Sequence, residues 1–234
     1  MRADFVQTDD LGLLRHILSS TDALLLDFDG PICSVFAGIP ARHVADQLRK
    51  VLSKESRDSL PPDIETTEDP FDILRYAATV GDTEAQGVEV ALRAYEVEAV
   101  ASASPTVGGL DVIAACHDRG RMVAVVSNNS AECVRTYLRI KEVEALVDAI
   151  CARTTHDTSM LKPASTLLTA ALTTLNVPPE AATLVGDSET DIQAALHTQV
   201  HSVGYANKPG KEQKLRDAGA HVIIDRMTQI SDVL

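Results

Sequence analysis

Apolar residues follow two different periods along this chain. Leu11, Leu14, Ile17 and Leu18 recur at helical spacing, and Thr8-Asp9-Asp10 before them is a capping signal. A helix is therefore expected from Leu11 to about Ser20. Leu24-Leu25-Leu26 lacks alternating polar positions and runs straight into Asp27-Phe28-Asp29-Gly30-Pro31, as a strand buried on both faces does. From about Ser34 to Ala103 the spacing is helical again, over 40–52, 71–79 and 83–101. The polar stretch 53–69, with Pro61-Pro62, reads as a mobile loop between them. After a linker at Ser104–Gly109 the two periods alternate. Helices are expected at 110–118, 131–138, 163–175 and 190–197, and strands at 122–126, 147–151, 183–185, 200–203 and 221–224. Alternation of this kind implies an α/β fold, a parallel sheet with crossover helices. The helical stretch 34–103 interrupts it after the first strand.

In an open parallel sheet, ligands bind at the carboxyl edge of the strands. The first strand delivers Asp27 and Asp29 to that edge, with Phe28 turned the other way. Neighbouring carboxylates repel unless a cation or a shared proton relieves them, and a hard divalent ion takes oxygen ligands. An Asp carboxylate is also a nucleophile in its own right. Taken alone, the stretch reads equally well as a strand entering an Asx-type turn. Three later segments follow or adjoin apolar runs in the same way. Val123–Val126 leads into Ser127-Asn128-Asn129, Leu161 precedes Lys162-Pro163, and Thr183–Gly186 leads into Asp187-Ser188-Glu189-Thr190-Asp191.

A DxDG, a Ser, a Lys and a GDxxxD, in that order, resemble the motifs of the haloacid dehalogenase-like hydrolase superfamily. The nearest likeness is its phosphatase branch, phosphoglycolate phosphatase-like, with a helical cap inserted after the first motif. The resemblance covers about residues 20–33 and 105–225. It implies a Rossmann-like core of residues 1–33 and 104–234 and a small all-helical cap subdomain at 34–103. It would make Asp27 the nucleophile that attacks phosphorus and Asp29 the general acid/base. Ser127 and the backbone N–H of Asn128 would hold the phosphoryl group. Lys162 would place a fixed positive charge beside it, and Pro163 would open the following helix. Asp27, Asp29 (through its backbone carbonyl), Asp187 and Asp191 would hold Mg2+. Pro31 stands where many relatives carry Thr or Val, and both carboxylates remain in place beside it.

Charge agrees with this chemistry. The 234-residue chain carries a net charge of −13, which disfavours nucleic acid or anionic membrane as partners, since both attract basic surfaces. A small phosphorylated substrate held by a metal ion and a few placed cations is the expected partner. No apolar run approaches the roughly 20 residues of a membrane span, and the N-terminus lacks a basic-then-apolar leader pattern, so a cytoplasmic location is expected. Cys33, Cys116, Cys133 and Cys151 are scattered, with no CxxC, and read as packed thiols. The seven histidines show no zinc-binding spacing.

The leading expectation is a Mg2+-dependent phosphatase of a small metabolite. A dehalogenase needs no acid at the second position, where Asp29 stands. A phosphonate hydrolase would need a cap lysine, for which Lys50 and Lys54 are candidates. A phosphomutase uses the same two aspartates, and a non-catalytic binding module is the alternative of a different class. Arg42, His43, Arg49, Arg75 and Tyr76 are the polar candidates in the insertion for contact with a leaving group.

Overall fold

The computed structural model describes residues 11–234; the capping signal at Thr8-Asp9-Asp10 lies outside the described residues. The chain opens with helix α1 (Leu11–Ser19) and strand β1 (Ala23–Leu26), followed by the two-residue strand β2 (Cys33–Ser34). Five helices come next: α2 (Ala41–Val51), α3 (Lys54–Asp58), α4 (Pro62–Thr66), α5 (Pro70–Val80) and α6 (Asp82–Val100). Strand β3 (Ser104–Pro105) returns the chain, and an alternating run follows: α7 (Gly109–Asp118), β4 (Met122–Ser130), α8 (Ala131–Ile140) and β5 (Ala149–Arg153). The run continues with α9 (Thr166–Leu175), β6 (Ala182–Gly186), α10 (Glu189–Thr198), β7 (His201–Tyr205), α11 (Lys211–Asp217), β8 (Val222–Ile224) and α12 (Thr228–Ser231).

Six strands form one parallel sheet in the order β5-β4-β1-β6-β7-β8. The period-2 geometry of a strand explains why β1 is leucine on both faces. Leu24 and Leu26 enter one apolar cluster with Leu14, Leu18, Val112 and Tyr137. Ala23 and Leu25 enter the other with Leu168, Leu172 and Ala195. In β4, Val123 and Val125 join the first cluster and Ala124 and Val126 the second. Helices therefore cover both faces, as an all-parallel sheet requires.

Register brings the site together. Leu26 is level with Val125 on one side and Val185 on the other, and the Asp27 amide continues the ladder to the Val185 carbonyl at 2.9 Å. Asp27, Ser127 and Asp187 thus emerge at the same edge of three adjacent central strands. The chain turns outward from β1 first toward β4 and β5, then toward β6, so this edge is the switch point where α/β sheets bind ligands.

The five helices after β2 enclose an apolar cluster of their own, with Val44, Leu48, Ile73, Leu74, Val88 and Leu92 buried. Entry and exit are tied by the antiparallel pair β2–β3. Residues 53–69 are ordered into α3 and α4, against the expectation of a loop. Ser53 caps α3 by accepting the Ser56 amide, Pro62 occupies the first turn of α4, and Leu60 and Ile64 pack onto the cluster. The helix expected from Pro163 begins only at Thr166, so Lys162-Pro163 precede it in a turn. The expected strand at 147–151 is displaced to 149–153, because Glu144–Leu146 form a short 3-10 turn ahead of it.

Candidate active site

Asp27, Asp187 and Asp191 offer carboxylate oxygens that lie within 4.8 Å of one another. Asp27 ends β1, Asp187 follows β6, and Asp191 sits in the first turn of α10. Asp191 is fully buried and fixed by a reciprocal cap. It accepts the Ser188 amide at 3.0 Å and the Ser188 hydroxyl at 2.6 Å, while the Ser188 hydroxyl accepts the Asp191 amide at 3.2 Å. Two glycines make this convergence possible. A Cβ on Gly186 would stand 2.3 Å from the Asp191 Cβ, and one on Gly30, whose φ is +112°, would stand 2.5 Å from the Asp187 carboxyl carbon.

Lys162 reaches into the cluster although it belongs to the loop before α9. Its buried ammonium donates to Asp27 Oδ1 at 2.7 Å and to the Val126 carbonyl at 2.9 Å, and lies 2.5 Å from Asp191 Oδ1. Lys211 and Asn207 both donate to Asp187 Oδ2, Asn207 at 2.9 Å. Asp29 does not join the three-carboxylate cluster. Its Oδ1 accepts the Val35 amide at 2.9 Å, which aims the carboxyl toward the start of the helical insertion.

Electrostatics follow from this crowding. Burial first, and the neighbouring Asp191 second, push the Asp27 carboxyl far above the ordinary carboxylate range, against the pull of Lys162. Burial raises Asp29 to about 6, partly offset by the Val35 amide. Lys162 is driven upward by Asp191 and Asp27, which outweigh the cost of burial, so it is a fixed cation. The carboxylates of the cluster outnumber the ammoniums paired with them, and the raised pKa of Asp27 reflects part of that crowding. A divalent cation would relieve the same crowding; Asp191 Oδ1 is itself paired with Lys162, 2.5 Å away. The donor set is all oxygen, the chemistry Mg2+ takes.

The Ser127 segment is held from three directions. Ser127 is buried, and its hydroxyl accepts the Asn129 amide at 3.2 Å. The cap of α8 is Ser130, which accepts the Cys133 amide, so Ser127 is not needed for capping. Asn128 uses its side chain differently from a substrate ligand. It accepts the Lys162 amide at 2.8 Å and donates to the Lys162 carbonyl at 3.2 Å, fastening the lysine loop to β4. Because α9 starts at Thr166, Lys162 stands ahead of that helix rather than in its first turn.

A cavity of about 390 Å³ opens over Asp27, Asp29, Ser127, Lys162, Asp187 and Asp191. From the insertion it is lined by Asp69, Phe71 and Arg75. Of the insertion candidates, Arg75 alone lines it, while its guanidinium pairs with Asp72 at 2.8 Å. Arg49 is spent inside the insertion, donating to the Ile64 carbonyl at 2.9 Å and to the Thr67 carbonyl. The Tyr76 hydroxyl donates to the Ser56 carbonyl at 3.2 Å. Cys33 is a buried thiol pushed upward by burial, and Glu189 is exposed on the first turn of α10.

Sequence reasoning missed Asn207, Lys211, Glu96 and Arg153. Asn207 follows the carboxyl end of β7 and Arg153 closes β5, so the strand-end logic that found Asp27 extends to both. Glu96 carried no signal, because it sits in a long helix with acids on several faces.

A family model described as haloacid dehalogenase-like hydrolase matches residues 37–205, which include Ser127, Lys162, Asp187 and Asp191. The chain belongs to the haloacid dehalogenase-like hydrolase family. It is accordingly a hydrolase, and Asp27 and Asp29, outside the matched segment, join the other motifs through the sheet. No curated protein matches the chain in sequence. Among solved structures, the chain is similar to a predicted phosphatase from Clostridium acetobutylicum, with a TM-score of 0.69 at 17% identity over 91% of this chain and 97% of that one. It is similar also to CbbY from Rhodobacter sphaeroides, crystallised as a mutant with xylulose-(1,5)bisphosphate, with a TM-score of 0.66 at 20% identity over 88% and 95% of the two chains. A predicted phosphoglycolate phosphatase from Haemophilus somnus gives a TM-score of 0.66 at 17% identity over 92% and 98%. At these identities the likeness speaks for the fold.

Proposed function

We propose that this haloacid dehalogenase-like hydrolase is a Mg2+-dependent phosphatase that cleaves a small phosphorylated metabolite through an aspartyl-phosphate. The observation that carries the reading is the convergence of Asp27, Asp187, Asp191 and Lys162 on one cavity, where crowded carboxylates supply the oxygen ligands a divalent ion would take. Asp27 and Asp187, with the carbonyl of Asp29 and with Asp191 behind them, would hold the ion. Once bound, it would screen the phosphoryl oxygens and keep Asp27 ionised.

The chain's own groups supply the rest. An Asp27 oxygen attacks phosphorus, the bond from phosphorus to the leaving oxygen breaks, and Asp29 gives that oxygen its proton. Asp29, now ionised, takes a proton from water, whose oxygen attacks phosphorus. The bond to Asp27 breaks, and phosphate leaves. A carboxyl held at about 6 can serve on both sides of this exchange near neutrality. Lys162 and the hydroxyl of Ser127, with the Asn128 amide, hold the phosphoryl oxygens as charge spreads over them. Residues 34–103 act as a cap over the cavity, and Arg75 is the cation they present to the substrate. That CbbY was crystallised with xylulose-(1,5)bisphosphate agrees with a phosphorylated substrate for this fold. Asp29 weighs against a dehalogenase, and neither Lys50 nor Lys54 lines the cavity, which weighs against a phosphonate hydrolase.

The test is phosphate release across a panel of sugar phosphates, phosphoglycolate and nucleotides, with Mg2+ and with EDTA, beside a 2-haloacid control. The reading expects Mg2+-dependent release from at least one phosphate ester and no halide release. Halide release, or no phosphate release from any ester, contradicts it.

A further inference from the structure

Beneath the Ser127 segment lies a buried charge network that none of the four motifs contains. Arg153, closing β5, has a fully enclosed side chain. One terminal nitrogen donates to Glu89 Oε1 at 2.6 Å, the other to Glu96 Oε2 at 2.7 Å, and Nε to the backbone carbonyl of Asn128 at 3.1 Å. Glu96, fully buried, also accepts the Asn129 side-chain amide at 3.1 Å and the Ser130 backbone amide at 2.9 Å. Both glutamates belong to α6, seven residues and about two turns apart, so they share one face. That helix begins within the insertion and returns the chain to the sheet.

Two carboxylates and one guanidinium leave one buried negative charge. The Ser130 amide, at the positive end of α8, and the side chain of Asn129 stabilise it at Glu96. Arg93 stands 3.7 Å from Glu89 at the outer end. The network is therefore satisfied, and it grips three consecutive residues, Asn128, Asn129 and Ser130. These directly follow Ser127, and Asn128 in turn holds Lys162 by its backbone.

We infer that Glu96 and Arg153 are positioning residues, which set the Ser127–Asn128 segment and the lysine loop and tie their placement to α6. The inference rests on the proposed phosphatase reading. A network that only anchored α6 would need contacts to side chains or to any backbone. This one ends on the residues that hold the phosphoryl group and the catalytic lysine. Any change in how α6 sits on the sheet is passed to them through two hydrogen-bonded charges.

Glu89 provides the internal control, because it pairs with Arg153 and Arg93, whereas Glu96 accepts directly from Asn129 and Ser130. Glu96→Gln keeps an acceptor and removes the charge. It is expected to lower kcat about 10- to 100-fold, the effect of a small displacement of phosphoryl-holding groups, with KM changed less than threefold and inhibition by inorganic phosphate weakened. Glu89→Gln is expected to stay within about threefold of the parent in kcat. Amide hydrogen exchange over 127–131 should accelerate in Glu96→Gln and not in Glu89→Gln, a readout that needs no turnover. Equal losses of kcat in the two variants, or unchanged exchange over 127–131 in Glu96→Gln, would overturn the inference. A parent protein that releases no phosphate while the two variants still differ in exchange would count against the phosphatase reading and leave the positioning role standing.

Discussion

At the residue scale the site trades stability for reactivity. Asp27 is held where its charged form is disfavoured, by burial and by Asp191, and an amide of the same size escapes that cost. The Asp27→Asn variant is therefore expected to melt at or above the parent temperature in EDTA, as residues kept for function often cost stability; a scanning calorimetric melt decides it. Lys162→Met is expected to reduce kcat by about two to three orders of magnitude, as removal of a preorganised charge stabiliser does, and to leave the sheet folded by far-UV circular dichroism. The sequence named Asp27, Asp29, Ser127 and Asp187 as candidates where apolar runs end, and Lys162 and Asp191 through the resemblance of the ordered motifs; the structure brings Asp27, Lys162, Asp187 and Asp191 together. What could not be read was the local geometry. Asn128 is used as a clamp on the lysine loop, and the Asp29 carboxyl is aimed by the amide of Val35, six residues on. Both depend on loop conformations that no periodicity encodes.

At the scale of elements, strands and long helices were readable and their ends were not. The leucines of β1 announce a doubly buried strand, whereas α9 starts three residues later than Pro163 suggests and β5 is displaced by two. Residues 53–69 look like a loop by composition, yet two short helices form there. Their stability comes from Ser53, Pro62 and contacts of Leu60 and Ile64 with distant helices, which a local reading undervalues. The β7–β8 pair carries its own pH dependence. His221 accepts the Ser202 amide at 3.1 Å through Nδ1, and burial, with His201 beside it, lowers its pKa below 6.5. The unfolded chain then binds this proton more readily than the folded one. Stability is complete above about pH 6.5 and is lost as pH falls toward the folded value. Asp27 and Asp29, whose carboxyls are raised, act in the opposite sense over the same range, so the His221 contribution is read as the difference in melting temperature between the parent and His221→Asn from pH 7.5 to 5, which should shift against the parent as pH falls. A difference that does not change with pH would contradict it.

At the scale of the whole molecule, four apolar clusters divide the work among the described residues: two sandwich the sheet, a small one of Ile192, Ala206, Leu215 and Ile223 packs its β7–β8 end, and one holds the insertion together. The α/β core and the helical character of the insertion follow from the alternation of periods. The tie between them, Arg153 to Glu89 and Glu96, depends on contacts across 57 and more residues and left no trace in the sequence. Leu74, fully buried in the insertion, makes that cluster testable. Leu74→Ala is expected to destabilise by about 2–5 kcal/mol in chemical denaturation, since α2, α5 and α6 share no other core. Near-neutral stability in that variant would mean that the insertion is held by its contacts to the sheet instead.

The central claim is that Asp27 is a metal-assisted nucleophile toward phosphorus. The most direct measurement is phosphate release from p-nitrophenyl phosphate or a phosphate ester found active in the panel, for the parent and for Asp27→Asn, with and without Mg2+. The account predicts Mg2+-dependent turnover in the parent and turnover lost in Asp27→Asn by at least about three orders of magnitude, the scale on which loss of an essential catalytic group is felt. Turnover that survives Asp27→Asn, or that ignores Mg2+, would contradict it.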